Sequence, residues 1–289
     1  MSGKIGNIKK GKLFIVATPI GNREDISQRA LSILSEVDQI AAEDTRHSNA
    51  LLRFYGISTQ TISLHEHNED KRVAWLVEQM EQGLTLALIS DAGTPLISDP
   101  GYRLVHAAQI AGIQIIPVPG ANAAITALSA AGLPTDRFIF EGFLPAKAGS
   151  RRNHLKALID ESRTLVFYES SHRIVESLQD MHDTFGPQRD AALARELTKK
   201  FETIKTAPLV ELLKWVFSDA DQQRGEFVVL VRGCDDSSSE LGEISVKAMR
   251  VLAKQLPLRQ ASKLAAQISG KPRRELYQWA LKNGLGGKH

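Results

Sequence analysis

Short apolar runs that stop at Gly- or Pro-containing turns and then give way to helical spacing recur along the first half of the chain. Residues 12–17, Lys-Leu-Phe-Ile-Val-Ala, predict a buried strand closed by a Thr-Pro-Ile-Gly turn, and Ile26, Ala30, Leu31 and Leu34 carry the spacing of a helix. Residues 84–89 repeat the pattern: the run ends in Ser-Asp-Ala-Gly-Thr-Pro, and helical spacing returns around Leu104, Val105 and Ala108. A third run, residues 113–118, ends in Pro-Gly-Ala-Asn and opens onto the Ala-rich segment 123–131. This alternation predicts an α/β protein with a parallel or mixed sheet covered by helices, in which ligand groups emerge at the carboxyl ends of the strands.

Gly132-Leu133-Pro134-Thr135-Asp136 breaks the rhythm and marks a junction between an N-terminal α/β domain, residues 1–133, and a second one, residues 134–232. Strand-like runs in the second domain fall at 137–143, 164–168, 190–197 and 226–231, with helical stretches at 154–159, 174–182 and 209–216 between them. Residues 233–242 form a polar, acidic linker. Residues 243–289 then carry three short helical patterns, at 244–256, 259–268 and 273–281, with Pro272 near the start of the last. This small helical C-terminal region fits a helix-turn-helix-like nucleic-acid contact and equally a packing or dimerisation unit.

Composition narrows the setting. The 289 residues, 43% of them hydrophobic, are enough for substantial cores. No window approaches the roughly 20 apolar residues of a membrane span, and the first apolar run is too short for a signal peptide. Cys234 is the single cysteine, so no intrachain disulfide can form, and a reducing, cytoplasmic setting is expected. The net charge of +3 is uneven. From residue 254 onward, Lys254, Arg259, Lys263, Lys271, Arg273, Arg274, Lys282 and Lys288 face the single acid Glu275. Such a tail points to a polyanionic partner, or else to a solubilising surface.

The most loaded segment is 91–101, Asp-Ala-Gly-Thr-Pro-Leu-Ile-Ser-Asp-Pro-Gly. Gly93 permits close backbone approach, Pro95 and Pro100 stiffen the turn, and Asp91, Thr94 and Asp99 supply polar groups. Neither a Walker loop nor a full Gly-x-Gly-x-x-Gly turn is present, which weakens kinase, NTPase and NAD-dehydrogenase readings and leaves room for a cofactor without phosphates. Glu43, Asp44, Thr45, Arg46 and His47 follow another apolar run and combine both charge signs; an Asp44–Arg46 ion pair competes here with catalysis. His65 and His67 are expected on a surface strand after Leu64, not as metal ligands, and no His-Glu-x-x-His spacing exists. Residues 195–200, Arg-Glu-Leu-Thr-Lys-Lys, suit either RNA phosphates or interface salt bridges.

Six ordered motifs together resemble the ribosomal RNA small subunit methyltransferase I family. They are Val16-Ala17-Thr18-Pro19-Ile20-Gly21-Asn22, Ala42-Glu43-Asp44-Thr45-Arg46, the 91–101 loop, Val118-Pro119-Gly120-Ala121-Asn122-Ala123, Phe167-Tyr168-Glu169-Ser170 and Ala194-Arg195-Glu196-Leu197-Thr198-Lys199. The resemblance implies a tetrapyrrole-methylase-like fold of two α/β domains with S-adenosylmethionine in the cleft between them. It also implies a homodimer and methyl transfer to the 2′-oxygen of a cytidine in the decoding region of 16S ribosomal RNA, free or in the 30S subunit. By the same resemblance Gly93, Thr94, Pro95 and Ile97 hold the cofactor, with Pro19, Asn122, Ala124 and Ile125 beside it and Tyr168, Ala194 and Phe227 approaching from the second domain. Arg23 stands where the family has leucine, and Ser171 where it has proline.

A ribose hydroxyl is a weak nucleophile at neutral pH, so an acceptor must take its proton while the reacting atoms are held in line. Glu43, Asp44, Asp91 and Glu196 are the candidate acceptors, and Arg46, Arg195 and Lys199 the candidates to position phosphates or stabilise charge. Two rivals share these features: a methylase acting on a carboxylate-rich tetrapyrrole, and a noncatalytic RNA-binding ribosome-assembly protein.

Overall fold

Five parallel strands form the first sheet of the computed structural model, which describes residues 10–65, 69–234 and 243–285. They are β1 (Lys12–Val16), β2 (Gln39–Ala42), β3 (Thr61–Ser63), β4 (Leu86–Ile89) and β5 (Gln114–Val118), in the order β3-β2-β4-β1-β5. Helices α1 (Gln28–Glu36), α2 (Thr45–Phe54), α3 (Glu69–Glu81) and α4 (Tyr102–Ile110) make the crossovers that parallel pairing requires. Strand β1 buries both faces. Leu13 and Ile15 meet Leu76, Met80 and Leu104 on one side, while Phe14 and Val16 meet Ala30, Leu34 and Leu52 on the other. Double burial is why these strands read as continuous apolar runs in the sequence.

The second sheet has the order β6-β7-β10-β8-β9, built from β6 (Phe138–Phe143), β7 (Thr164–Ser170), β8 (Asp190–Arg195), β9 (Thr203–Pro208) and β10 (Glu226–Val231). Only the β6–β7 pair is parallel; β7–β10, β10–β8 and β8–β9 are antiparallel. Period-two alternation sorts its side chains. Leu165, Phe167, Leu193, Phe227, Val229 and Val231 pack under α7 (Ile174–Phe185) and α8 (Leu209–Ser218), with Leu155 of α6 (Ala148–Ala157). Val166, Ala192, Ala194, Val228 and Leu230 face the opposite way, onto α5 (Ala123–Ala130).

Helix α5 belongs by connection to the first sheet, since it follows β5, yet it packs on the second. Its small residues Ala124, Ala127 and Ala131 allow that close seat, while Ile125 on the other side stays exposed. Through α5 and Ile20 the first domain thereby contributes to the apolar layer on one face of the second sheet. A third unit, α9 (Glu243–Leu252), α10 (Leu258–Ser269) and α11 (Arg273–Lys282), packs around its own core of Met249, Ala261, Ala265, Leu276 and Ala280. Gly270, at φ 71° after α10, supplies the left-handed residue that ends the helix and starts the turn to α11. Among the described residues no helix is long and apolar enough to cross a membrane.

Three local expectations change. Helix α1 starts after Ser27, whose hydroxyl accepts from the Ala30 amide, so Ile26 precedes it. The strand expected after Leu64 falls partly outside the described residues: β3 ends at Ser63, Leu64 is fully buried, His65 lies beyond β3, and His67 lies outside the described residues. The run at 190–197 stops pairing at Arg195 because Glu196 and Thr198 take positive φ, 50° and 65°.

Candidate active site

The carboxyl ends of β1, β4 and β5 carry three turns that hold one another. Thr18 and Gly93 form a mutual backbone bridge, Thr18 N to Gly93 O at 2.9 Å and Gly93 N to Thr18 O at 3.0 Å. The Thr94 hydroxyl donates to Ala121 O at 3.0 Å, which ties the β4 turn to the β5 turn. Gly93 sits at φ 83°, and a Cβ there would lie 3.3 Å from Ile20 Cγ2. That position needs glycine for both its dihedral and its space.

Above these turns opens a cleft of about 500 Å³, closed on its far side by the second sheet. Ile20, Gly93, Thr94, Ile97, Asn122 and Ala123 line it from the first sheet, and Phe143, Tyr168, Ala194, Leu197, Phe227 and Val228 from the second. This size suits a small-molecule ligand, and a mostly apolar wall with a few polar groups is the usual composition of such a site. Tyr168 is the central wall residue: its ring meets Phe140 and Phe143 edge-on at 4.9 and 5.6 Å, and its hydroxyl accepts from the Ala124 amide at 3.3 Å.

The charged lining is one-sided. Glu43, Asp91, Asp99, Glu169 and Glu226 reach the cleft, and among the described residues no Lys or Arg lines it. The described ion pairs reach Glu169 and Glu226 from outside the cleft. Glu169 is buried and accepts from Ser177 Oγ at 2.6 Å and from Arg173 at 3.0 Å, and Glu226 pairs with Lys199 at 2.8 Å. Asp91 Oδ1 accepts the Asp44 amide at 3.1 Å. Asp99 is different: burial pushes its carboxyl up to about 6, a Ser90 hydrogen bond opposes that shift, and the Asp91 charge adds to it.

Several sequence candidates sit elsewhere. Asp44 caps α2, accepting from the Arg46 amide at 2.8 Å, and pairs with the Arg46 guanidinium at 2.8 Å. The Arg46 hydrogen bonds hold the Asp44 carboxyl down at about 2. The ion-pair alternative is therefore present, and neither residue lines the cleft. Arg195 is buried, donating from Nε to Arg224 O at 2.7 Å and from Nη1 to Phe201 O at 3.0 Å, which pins two loops together. Glu196 accepts from Lys199 Nζ at 2.9 Å and from the Glu226 amide at 3.0 Å. All three of these side chains hold the loop bordering the cleft and lie outside its lining. That loop also meets the first domain: Thr198 Oγ1 accepts the Asn22 amide at 3.0 Å, and a Cβ on Gly21 would lie 2.5 Å from Lys199 Cγ. Residues 195–200 thus meet the first domain through a hydrogen bond and close packing, while their described salt bridges stay within the second domain.

On the cofactor side, Pro19 and Pro95 are buried behind the turns, Ala124 is buried against the second sheet, and Ile125 is exposed; none of the four lines the cleft, and Ala123 does. Asn122 lines it, but its Oδ1 is committed to capping α5 through the Ile125 amide at 3.1 Å. Sequence reasoning counted Asp99 only as a polar loop residue. The available signal was a carboxylate between two prolines' worth of stiffened turn, closing a strand-end loop.

Comparison with known proteins decides the family. The tetrapyrrole (corrin/porphyrin) methylase model matches residues 12–213, and the RsmI C-terminal HTH domain model matches residues 245–284. A ribosomal RNA small subunit methyltransferase I of Pseudomonas aeruginosa is 56% identical over 94% of this chain and 97% of its own. The protein of that name from Escherichia coli O157:H7 is 51% identical over 94% and 95%. The chain belongs to the ribosomal RNA small subunit methyltransferase I family. The fold is that of the tetrapyrrole methylases. Uroporphyrin-III-C-methyltransferase from Thermus thermophilus superposes with a TM-score of 0.54 at 21% identity, covering 77% of this chain and 94% of its own. A diphthine synthase superposes at 0.59 with 16% identity, over 77% and 90%. Family membership makes this chain a methyltransferase, and a methyl donor is thereby implied.

Proposed function

We propose that this chain transfers a methyl group from S-adenosylmethionine to the ribose 2′-hydroxyl of a cytidine in the decoding region of 16S ribosomal RNA. The acid-lined cleft carries the reading. A sulfonium donor is a cation, and a site lined by five carboxylates, of which Glu169 and Glu226 are paired from outside by Arg173 and Lys199, with no lining Lys or Arg among the described residues, favours it electrostatically. The same lining disfavours a macrocycle rich in carboxylates, so the tetrapyrrole rival loses its physical argument. When bound, the cofactor supplies an electrophilic methyl group. The residues that would hold it are Gly93, Thr94 and Ile97 on one wall and Tyr168, Ala194 and Phe227 on the other. They exclude water and leave the attacking hydroxyl an entry from the open side.

The substrate class comes from the relatives' name and from the third helical unit. Lys254, Arg259, Lys263, Arg273 and Arg274 are exposed there, around a core that leaves them free of the cleft. We assign residues 243–289 to holding RNA, residues 1–133 and 134–232 to the two walls of the cleft, and the working unit to a homodimer in the cytoplasm. Deleting residues 243–289 is expected to weaken RNA binding and to lower the slope of log affinity against log salt by about 2 to 4, the loss of three to five phosphate contacts. Calorimetry should find cofactor affinity unchanged. Loss of dimerisation with full RNA affinity in an enforced dimer would reassign the unit to packing.

The deciding experiment supplies labelled S-adenosylmethionine with free 16S RNA and with 30S subunits, then maps the product by mass spectrometry. Label on a ribose 2′-oxygen is expected. Label on a base would keep the class and reject the reaction, and methylation of a tetrapyrrole with neither RNA form modified would restore the rival. Binding of cofactor and RNA without transfer would favour the noncatalytic reading.

A further inference from the structure

Phe143 lines the cleft at the end of β6 and is not among the residues that would hold the methyl donor. Its side chain is 53% exposed, whereas Phe227 is buried and Tyr168 half-buried. One exposed phenylalanine needs no explanation by itself. The backbone that presents it does. Ile139 packs on the face of the second sheet that α7 and α8 cover, and Phe140 on the face that carries α5 and the cleft. Glu141 returns to the helix-covered side, where its carboxylate meets His154 of α6 at 3.0 Å. Strict alternation would carry Phe143 to that side as well. A bulge prevents this. Phe140 is in register with Val166, but Gly142 pairs with Phe167 and Phe143 with Tyr168, so one extra residue is absorbed and Phe143 emerges on the cleft side.

The bulge is held from both sides. Gly142 stands at φ 65°, open to glycine without strain, and a Cβ there would lie 3.2 Å from Ser98 Oγ, so the bend sits on the loop after β4. The Tyr168 ring then meets Phe143 edge-on, at 5.6 Å and 67°. An edge contact sets the tilt of the Phe143 ring and covers little of its surface. Regular pairing is thus given up at one point of β6, and the outcome is a flat apolar ring, fixed in direction, at the open part of the cleft.

The charged lining limits what such a ring can receive. The cleft is lined by carboxylates and, among the described residues, by no Lys or Arg, so a phosphodiester gains nothing by entering it. A nucleotide brought to the methyl group has to be held there by its uncharged parts, the ribose and the base. A base drawn away from its neighbours loses their stacking, and an aromatic side chain can replace it. We propose that the Phe143 ring stacks on the base of the nucleotide whose ribose is methylated, and so sets the 2′-hydroxyl in line with the methyl group. The assignment rests on the function proposed above. Labour is then divided: the exposed Lys and Arg side chains of the third helical unit hold phosphates, and Phe143 seats the base. Losing the ring slows transfer from bound RNA and leaves the grip on the RNA as a whole nearly intact.

Single-turnover transfer at saturating protein, to the RNA form that wild type methylates, tests the role. Phe143→Ala should slow transfer about 5- to 100-fold, the worth of one stacked base, with overall RNA affinity and calorimetric S-adenosylmethionine affinity within about threefold of wild type. Phe143→Trp keeps a flat face and should stay within about threefold of the wild-type rate. Phe143→Leu keeps apolar bulk without the flat face and should follow the alanine variant, for which it substitutes should that protein not fold. A second substrate removes the base instead of the ring: the same RNA, ligated with an abasic ribose at the mapped nucleotide. The ratio of wild-type to Phe143→Ala rates, about 5 to 100 on intact RNA, should fall towards 1 on the abasic RNA. Where the abasic RNA reacts too slowly to follow, the tryptophan and leucine variants decide. An alanine or leucine variant at the wild-type rate overturns the proposal, as does an unchanged ratio on abasic RNA. A fall in cofactor affinity large enough to account for the slower transfer also overturns it and assigns the ring to the donor. If wild type itself methylates no ribose, the functional reading falls and takes the Phe143 role with it, an outcome distinct from an active wild type with an indifferent Phe143.

Discussion

Gly93→Val is expected to weaken S-adenosylmethionine binding about 30-fold or more, equivalent to about 2 kcal/mol, in a chain that still folds. The residue stands at φ 83°, a region that a β-branched side chain enters only at a cost of about 1–2 kcal/mol. The added Cβ would also meet Ile20 Cγ2 at 3.3 Å, and Ile20 itself lines the cleft. The loop can relieve both strains only by giving up the paired bonds between Thr18 and Gly93, which hold the β1 and β4 turns together. The binding surface is built from those turns, so the loss should be read mainly in cofactor affinity. Asn122→Ala is the contrast: it removes the cap of α5 at a cost of about 1 kcal/mol in stability and should change cofactor affinity much less. Calorimetry on both variants, with circular dichroism to establish folding, separates the two effects. A folded Gly93→Val protein with wild-type affinity would remove the loop from the cofactor site.

The strands at the centre of each sheet were legible because they are buried on both faces. β1, β4, β7 and β10 appear as apolar runs bounded by Gly, Pro or charged residues, and no rival pattern competes with them. β9, Thr203–Pro208, escaped notice because it is an edge strand paired only with β8, and its alternation of Ile204 and Ala207 with polar residues carries no apolar run. Charge was the poorest guide. Arg195 looks in sequence like a phosphate contact, yet its guanidinium is buried on two backbone carbonyls, a use that no local pattern encodes. Gly21 and Gly225 illustrate the same limit. A Cβ at either would run into the 196–199 loop at 2.5 Å, so each glycine records a tertiary approach that only the folded chain reveals. Asp99 was visible as a polar residue in a stiff loop, but the burial that raises its carboxyl is a property of three dimensions.

Arg151→Ala is expected to produce the largest loss of stability of any single change considered, about 3–5 kcal/mol, without altering the cleft. Arg151 lies on α6 with its guanidinium buried, 2.6 Å from Asp180 Oδ2 and 3.3 Å from Glu176 Oε2 on α7, and donates to Ala146 O at 3.4 Å. This cluster joins the two helices over the outer face of the second sheet. A buried ion pair gains little over an apolar pair of similar volume, because desolvation offsets most of its attraction. Removing one partner is a different matter. Asp180 is itself buried, and without Arg151 its described cationic neighbour is Arg152 at 3.7 Å, more than half exposed to solvent. The stranded carboxylate then bears its desolvation cost nearly alone. For a chain of this size the melting temperature should fall by roughly 10 °C. The double variant Arg151→Met with Asp180→Leu should recover most of that loss, since it removes both charges and keeps the volume. Cofactor affinity should stay at its wild-type value in both proteins, because neither residue lines the cleft. A drop of less than about 1 kcal/mol in Arg151→Ala, the range of an exposed pair, would mean that water reaches Asp180 and that the two helices are held by their apolar contacts alone.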